Sequence, residues 1–142
     1  MRVILSAQFH HDGRGPELRR AHYSETGSTL VAADYVNPPR LDHAGGDIRH
    51  LLFVASQAFA FTPEEVANLA ADPVRWDATG GGALVSLGRS AWLQGFAPTH
   101  VARCEHFRAM FYDEYLDILC EDVRSESGPY APANYRLERH AG

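Results

Sequence analysis

A chain of 142 residues is about one domain, long enough to bury a core without disulfide or metal staples. A hydrophobic content of 45% and a charged content of 22% exclude wholesale disorder. The formal net charge of −5 disfavours nucleic acid as a partner, because phosphate backbones are bound by Lys and Arg, and the local cluster Arg14, Arg19 and Arg20 is small.

The sequence carries no membrane or export signal by the usual criteria. No apolar run approaches the roughly 20 residues that cross a bilayer. The first apolar stretch is interrupted at Gln8 and His10, which is too early for a signal peptide. Two cysteines fit a reducing compartment better than a disulfide scaffold. These features predict a cytoplasmic protein without membrane contact.

The first third of the chain is typical of β-structure. Residues 3–9 are apolar and partly β-branched, which predicts a strand that ends at the Asp12-Gly13 turn. Residues 21–36 predict a hairpin about Gly27. Residues 48–61 form the most apolar stretch and predict a central strand, broken near Ser56-Gln57.

Residues 62–72 carry the clearest helix signal. Thr62 suits the N-cap, Pro63 the first helical position and Glu65 the third, which together make a capping box. Val66 and Leu69 follow at helical spacing, and the helix should end before Pro73. Three glycines at 80–82 match neither phosphate-binding pattern, and residues 83–87 predict a strand.

The region after residue 90 leaves alternatives open. Residues 90–96 fit a short helix or a strand end, and Thr99 can cap a short helix over 99–104. Residues 106–123 fit either one long helix or a hairpin that turns at Asp113-Glu114. We favour the hairpin, because the helix would be about twice the mean length. Residues 125–142 are expected to lie on the surface or fray.

Together these elements predict a single α+β domain over residues 1–142. A mainly antiparallel, twisted sheet of about five or six strands would be covered by the helix near 62–72 and the short helix near 99–104. A half-open barrel around an apolar pocket is a variant of the same arrangement.

Histidines are the candidates for acid–base catalysis. His10 and His11 follow the first predicted strand, and strand ends often carry active-site side chains. His100 and His106 flank the start of the predicted hairpin. An imidazole near neutral pH can donate or accept a proton, so these four residues are the predicted catalytic set.

A transition-metal site is a second hypothesis, although we predict no cofactor. His100, Cys104 and His106 offer two imidazoles and a thiol, ligands that suit zinc. Their spacing is not that of a zinc finger, and the ordinary alternative is a buried, inert Cys104 between surface histidines.

The segment from Tyr112 to Asp117 is the candidate for binding. It combines aromatic and acidic side chains, namely Tyr112, Asp113, Glu114, Tyr115 and Asp117. A solvated acidic face is the ordinary interpretation, and its functional use would be to dock a basic partner.

Two functions follow from these observations. The first is a small acidic binding module that docks a protein partner, as inhibitors or immunity-type proteins do. The second is a small enzyme that acts on an apolar or aromatic metabolite through histidine or metal-assisted chemistry. Convergence of the four histidines and Cys104 on one cavity would favour the enzyme. A protein partner and a small apolar ligand are therefore both kept as expectations.

Overall fold

The computed structural model describes residues 1–5, 8–13, 15–24, 30–37, 48–66, 74 and 79–131, without the side chains of Ser24 and Leu30. Within these residues the chain forms nine strands, one four-residue α-helix and one 3₁₀ turn. The elements are β1 (Arg2–Ile4), β2 (Glu17–Ser24), β3 (Leu30–Val36), β4 (Ile48–Val54), β5 (Ala58–Pro63), the 3₁₀ turn (Glu64–Val66), β6 (Leu84–Ser86), α1 (Ala91–Gln94), β7 (Glu105–Met110), β8 (Glu114–Cys120) and β9 (Asp122–Ser127).

The strands form two antiparallel sheets. The five-stranded sheet has the order β1-β6-β7-β8-β5, and the four-stranded sheet has the order β2-β3-β4-β9. β5 and β2 are therefore edge strands of different sheets, as are β1 and β9. This arrangement leaves two openings along the sides of the molecule, one between each pair of edges.

Two bent strand pairs connect the sheets. β4 continues into β5, and β8 continues into β9. Each of these two segments therefore leaves one sheet and enters the other. At the bend, the Gln57 amide donates to the Leu119 carbonyl at 2.8 Å and the Glu121 amide to the Val54 carbonyl at 3.0 Å. Ala55, in the bend between β4 and β5, takes a positive φ of 57°. Strands that change sheet in this way make the corners of orthogonally packed sandwiches.

The core lies between the inner faces of the two sheets. Val31, Ala33 and Tyr35 alternate along β3 and are fully or almost fully buried, as period 2 requires. They pack with inner-face residues of the other sheet, among them Leu84, Phe107, Ala109, Leu116 and Ile118. Phe9 fills the space between the sheets, with its ring 4.9 Å from Tyr35 and 5.2 Å from Phe111 in edge-on contacts. Each fully buried side chain of this size stabilises the fold by about 1.5–3 kcal/mol.

The outer faces of both sheets are also covered. Leu93 of α1, together with Val101 and Cys104 from the turns that follow it, packs on Leu119 of the five-stranded sheet. Tyr130 covers Ala32 and Leu52 on the four-stranded sheet. Because both faces of each sheet are covered in these places, successive residues are buried along β3, β4 and β7, and not only every second one.

The structure confirms the predicted hairpins and corrects the fold class. β2 and β3 pair as expected, and so do β7 and β8, which decides between hairpin and helix. The predicted central strand breaks at residues 55–57, as expected. Its first half, β4, lies inside the four-stranded sheet, whereas its second half, β5, is an edge strand of the other sheet and not a central one. The protein is mostly β rather than clearly α+β. Its described residues form nine strands in two antiparallel sheets instead of one sheet of five or six strands, and these sheets do not close into a barrel.

The helix predicted at 62–72 is wrong over its described part. Thr62 and Pro63 end β5, where they pair with Tyr115 and Glu114, and residues 64–66 form a 3₁₀ turn. Proline, which lacks a backbone N–H, is tolerated because β5 is an edge strand. An edge strand has a hydrogen-bonding neighbour on one side only. The residues of the predicted capping box are therefore followed by a single 3₁₀ turn in the described part of the chain. Residues 67–73 lie outside the described residues.

The short helix is displaced from its predicted position. It spans Ala91–Gln94, within the 90–96 segment, and residues 98–103 form turns instead of the helix expected at 99–104. Ser90 is the cap, since its hydroxyl accepts from the Leu93 amide at 3.2 Å. The first strand is also shorter than expected, because Leu5 takes a positive φ of 52° directly after β1.

The C-terminal part starts within a strand. β9 extends through Ser127 and pairs with β4, and residues 132–142 of the predicted tail lie outside the described residues. None of the helices found in the described ranges is long and apolar enough to cross a membrane.

Candidate binding cleft

The opening between β2 and β5, here called the β2–β5 seam, exposes side chains that belong to the inner faces of the sheets. Phe59 and Phe61 lie opposite Ile118 and Leu116, which are fully buried in the core. Residues directly opposite each other in an antiparallel pair project on the same side. The two phenylalanines therefore point inward, yet they remain 41% and 37% exposed because β5 is an edge strand.

The opposite edge contributes in the same way. Tyr23 of β2 lies opposite the buried Val31, so it also belongs to the inner face, and it is 52% exposed. The rings of Tyr23 and Phe59 are 5.5 Å apart, so the seam is closed at this end. An exposed aromatic set that continues the core of a sandwich is typical of a binding surface rather than of ordinary protein exterior.

The seam widens at its other end into a cleft of about 710 Å³. Leu18, Phe61 and Pro63 form its apolar floor. Four carboxylates complete the lining, namely those of Glu64, Glu65, Asp113 and Glu114. This volume lies within the range of roughly 300–1,000 Å³ that is usual for ligand pockets.

Backbone hydrogen bonds hold the carboxylates in place. The Phe111 amide donates to the Glu114 carbonyl at 2.9 Å, which closes the turn between β7 and β8. The Glu64 amide donates to the Asp113 carbonyl at 2.8 Å, and the Tyr112 amide to the Pro16 carbonyl at 2.8 Å. The acidic turn is thus tied both to the 3₁₀ turn and to the segment that precedes β2.

The described lining of the cleft carries an excess of negative charge. None of the described residues that line the cleft is cationic, and no ion pair among the described residues involves Glu65, Asp113 or Glu114. Burial raises the pKa of Glu114, and the neighbouring Asp113 charge raises it further. Both causes favour the protonated acid, so an approaching cation would relieve an electrostatic cost in the free protein.

The predicted binding segment is divided by the fold. Asp113 and Glu114 line the cleft, and Tyr112 is 43% exposed in the same turn. Tyr115 is buried in the core, with its ring 5.8 Å from the Arg108 guanidinium carbon. Asp117 lies away from the cleft, and the expectation that it faces solvent is wrong, because it bonds to His106 and Arg108.

The four predicted catalytic histidines are not brought together. His11 is buried beside Phe111, at the end of β7, whereas His106 lies near the start of the same strand, roughly 16 Å away along a strand. His10 is exposed and approaches Gly81, and His100 is exposed in the turns after α1. Their catalytic assignment stays a prediction.

Buried His11 has a defined structural role. Its Nδ1 accepts from the Gly13 amide at 3.0 Å, and its own amide donates to the Gly81 carbonyl at 2.7 Å. Burial lowers the pKa of His11, and a hydrogen bond to the Phe111 backbone and the Asp12 and Glu64 charges oppose this effect. The neutral ring therefore ties the turn after β1 to the turn that carries the cleft carboxylates.

The predicted metal ligands are separated as well. Cys104 is buried against Leu93, Val101 and Leu119, and burial raises the pKa of its thiol. His106 faces a hydrogen-bond network, and His100 faces solvent. In the described ranges, no group of three or more His, Cys, Asp or Glu side chains is placed to hold a metal ion.

His106 belongs to a chain of polar side chains on the outer face of the five-stranded sheet. Its Nδ1 lies 2.7 Å from Ser90 Oγ, and its Nε2 lies 2.6 Å from Asp117 Oδ1. The Arg108 Nε donates to the same Asp117 oxygen at 2.9 Å. The Trp92 ring packs edge-on against the imidazole, 4.9 Å away.

Some lining residues had weak signals in the sequence. Phe59 and Phe61 lie in the apolar stretch that predicts a central strand, and Glu65 belongs to the capping box that predicts a helix start. Neither pattern says that the strand is an edge, so the apolar floor was missed. Comparisons with known proteins add no assignment, since no family model, curated protein or solved structure matches this chain.

Proposed function

We propose that this protein is a binding module that docks a basic, partly apolar segment of a protein partner in the acidic cleft of the β2–β5 seam. One observation carries the proposal. Three carboxylates that form no ion pair within the described part of the chain, those of Glu65, Asp113 and Glu114, surround an apolar floor at the place where the core opens to solvent.

Charge complementarity favours a cationic occupant. Carboxylates held close together in a partly desolvated cleft repel one another and destabilise the free protein. A bound cation replaces this repulsion with attraction and so stabilises the complex. Arg and Lys suit the geometry, because their alkyl stems can pack on the floor of Leu18, Phe61 and Pro63 while their charged ends reach the rim. A segment that alternates basic and apolar residues would satisfy both parts of the lining.

A neutral apolar ligand fits the site less well. It would cover the carboxylates without supplying a counter-charge, and burying an unpaired charge is costly. The mildly acidic whole chain, with a net charge of −5, adds a long-range attraction for a basic partner. Both considerations support a basic protein segment over a small apolar metabolite.

The test uses a short, capped peptide of alternating Lys and Leu as the probe, with fluorescence anisotropy as the readout. We expect binding by the native protein and at least about a tenfold loss of affinity, equal to about 1.4 kcal/mol, when Asp113→Lys and Glu114→Lys are combined. A peptide of alternating Glu and Leu should not bind.

A second pair of substitutions controls for net charge. Glu121→Lys with Asp122→Lys changes the net charge from −5 to −1, as the cleft pair does, but lies at the opposite opening between β1 and β9. Equal loss of affinity in both variants would contradict docking in the cleft. The milder pair Asp113→Asn with Glu114→Gln tests the same point if charge reversal impairs folding.

A further inference from the structure

A second site is suggested by the Ser90–His106–Asp117 chain, which is independent of the acidic cleft. The three residues come from the cap of α1, from β7 and from β8, and two short hydrogen bonds connect them. Ser90 Oγ lies 2.7 Å from His106 Nδ1, and His106 Nε2 lies 2.6 Å from Asp117 Oδ1.

One tautomer of the His106 imidazole gives this chain of hydrogen bonds a direction. Ser90 Oγ accepts from the Leu93 amide, and it donates its own hydrogen to His106 Nδ1 in the tautomer that carries the ring proton on Nε2. The carboxylate of Asp117 then accepts the proton on His106 Nε2. In this tautomer the serine hydroxyl donates to an imidazole nitrogen, and a carboxylate orients the ring, which is the arrangement that activates a serine nucleophile.

The surroundings protect the base and leave the hydroxyl end of the chain partly accessible. His106 and Arg108 are 4% and 5% exposed, whereas Ser90 is only half-buried. Arg108 donates to Asp117 Oδ1 at 2.9 Å and orients the carboxylate toward the imidazole. Trp92 packs against His106 and contacts Phe96, which is 38% exposed, so apolar side chains lie beside the imidazole that bonds to the hydroxyl.

We propose that Ser90 is an acyl-accepting nucleophile with His106 as its general base, and that the substrate is an ester with an apolar acyl group. Ser90 Oγ adds to the ester carbonyl carbon while its proton moves to His106 Nδ1. The carbon–oxygen bond to the alcohol breaks, and that alcohol leaves with the proton from His106.

Water then completes the reaction. It adds to the acyl carbon, gives a proton to His106 and releases the carboxylic acid, while Ser90 Oγ recovers the proton. Ester and water thus become acid and alcohol. Asp117 and Arg108 are positioning residues, because they act on the imidazole and not on the ester.

A purely structural role of the chain predicts a different outcome, and an alkyl fluorophosphonate probe distinguishes the two. We expect the native protein to form a single adduct, which peptide mass spectrometry locates at Ser90. His106→Gln should lower the labelling rate by about a hundredfold or more, since general-base catalysis contributes about 10²–10⁴. Asp117→Asn should lower the rate and shift its pH profile.

The variant Ser90→Asn separates capping from reactivity. Asparagine is as good an N-cap as serine but has no hydroxyl, so α1 should be kept and labelling lost. Ser125→Ala is the matched control, because Ser125 bonds to Tyr35 and not to histidine. The proposal is overturned if the native protein acquires no adduct at Ser90, a result that needs no variant, or if His106→Gln is labelled as fast as the native protein.

Discussion

At the residue scale, Glu114 connects binding to stability. Burial and the Asp113 charge raise its pKa, so its ionised form destabilises the folded protein at neutral pH. We expect Glu114→Gln to raise the free energy of unfolding at pH 7 and, at the same time, to weaken binding of the Lys/Leu peptide. Denaturant unfolding and anisotropy measure the two effects.

The matched substitution is Glu121→Gln, at an exposed residue of the opposite opening. It should change neither quantity beyond about 0.5 kcal/mol, which is usual for surface positions. A Glu114→Gln protein that is less stable and binds the peptide normally would show that the carboxylate is structural.

His11 should make stability depend on pH. Burial lowers its pKa below the ordinary 6.5, so the neutral form contributes stability that is complete above pH 6.5 and is lost as the pH falls below it. His11→Asn keeps an acceptor for the Gly13 amide and cannot be protonated. We expect the native free energy of unfolding to fall more steeply than that of the variant between about pH 7 and pH 5, by up to about 1.4 kcal/mol per pH unit.

Residues that are adjacent in the sequence can be predicted as a site, whereas residues that only the fold brings together cannot. Asp113 and Glu114 were found because they are adjacent in the chain and flanked by tyrosines. The partners of His106 are 16 and 11 positions away in the chain, at Ser90 and Asp117. Only strand pairing and the docking of α1 bring these three side chains together, so no local spacing could have revealed them.

At the element scale, the edge position of β5 determines what Phe61 does. Its side chain projects to the same side as the fully buried Leu116 but is 37% exposed in the cleft. We expect Phe61→Ser to weaken peptide binding severalfold and to destabilise the protein by less than about 2 kcal/mol. Leu116→Ala should cost about 2–5 kcal/mol, as for other core leucines.

Thermal or denaturant unfolding of both variants, with anisotropy, tests this difference. The expectation fails if Phe61→Ser binds the peptide with native affinity, because the apolar floor would then contribute nothing to docking.

The misassigned helix has the same physical origin as the cleft. Thr62, Pro63 and Glu65 fit the local sequence pattern of a helix start. That pattern does not take into account hydrogen bonding with a strand that is distant in the sequence. Pairing of Thr62 with Tyr115 and of Pro63 with Glu114 extends β5 instead. Hairpins between neighbouring segments were predictable, because their turn residues and alternation are local.

At the scale of the whole molecule, the decisive feature is the order of the strands. A sandwich with two bent connections leaves β5 beside β2 and β1 beside β9, and nothing in the composition or periodicity contains that order. The order turns separate acidic segments, at 64–65 and 113–114, into one cleft. We therefore expect this cleft, and not acidity in general, to bind basic segments.

The most direct test is carbodiimide cross-linking of the capped Lys/Leu peptide, followed by mass spectrometry of the product. All 13 Lys and Arg residues of the chain are arginines, so coupling between its own lysines and carboxylates cannot compete. We predict cross-links from peptide lysines to Glu65, Asp113 and Glu114. Cross-links concentrated at Glu105, Glu121 and Asp122, or scattered over the exposed carboxylates, would show that the peptide does not dock in the cleft.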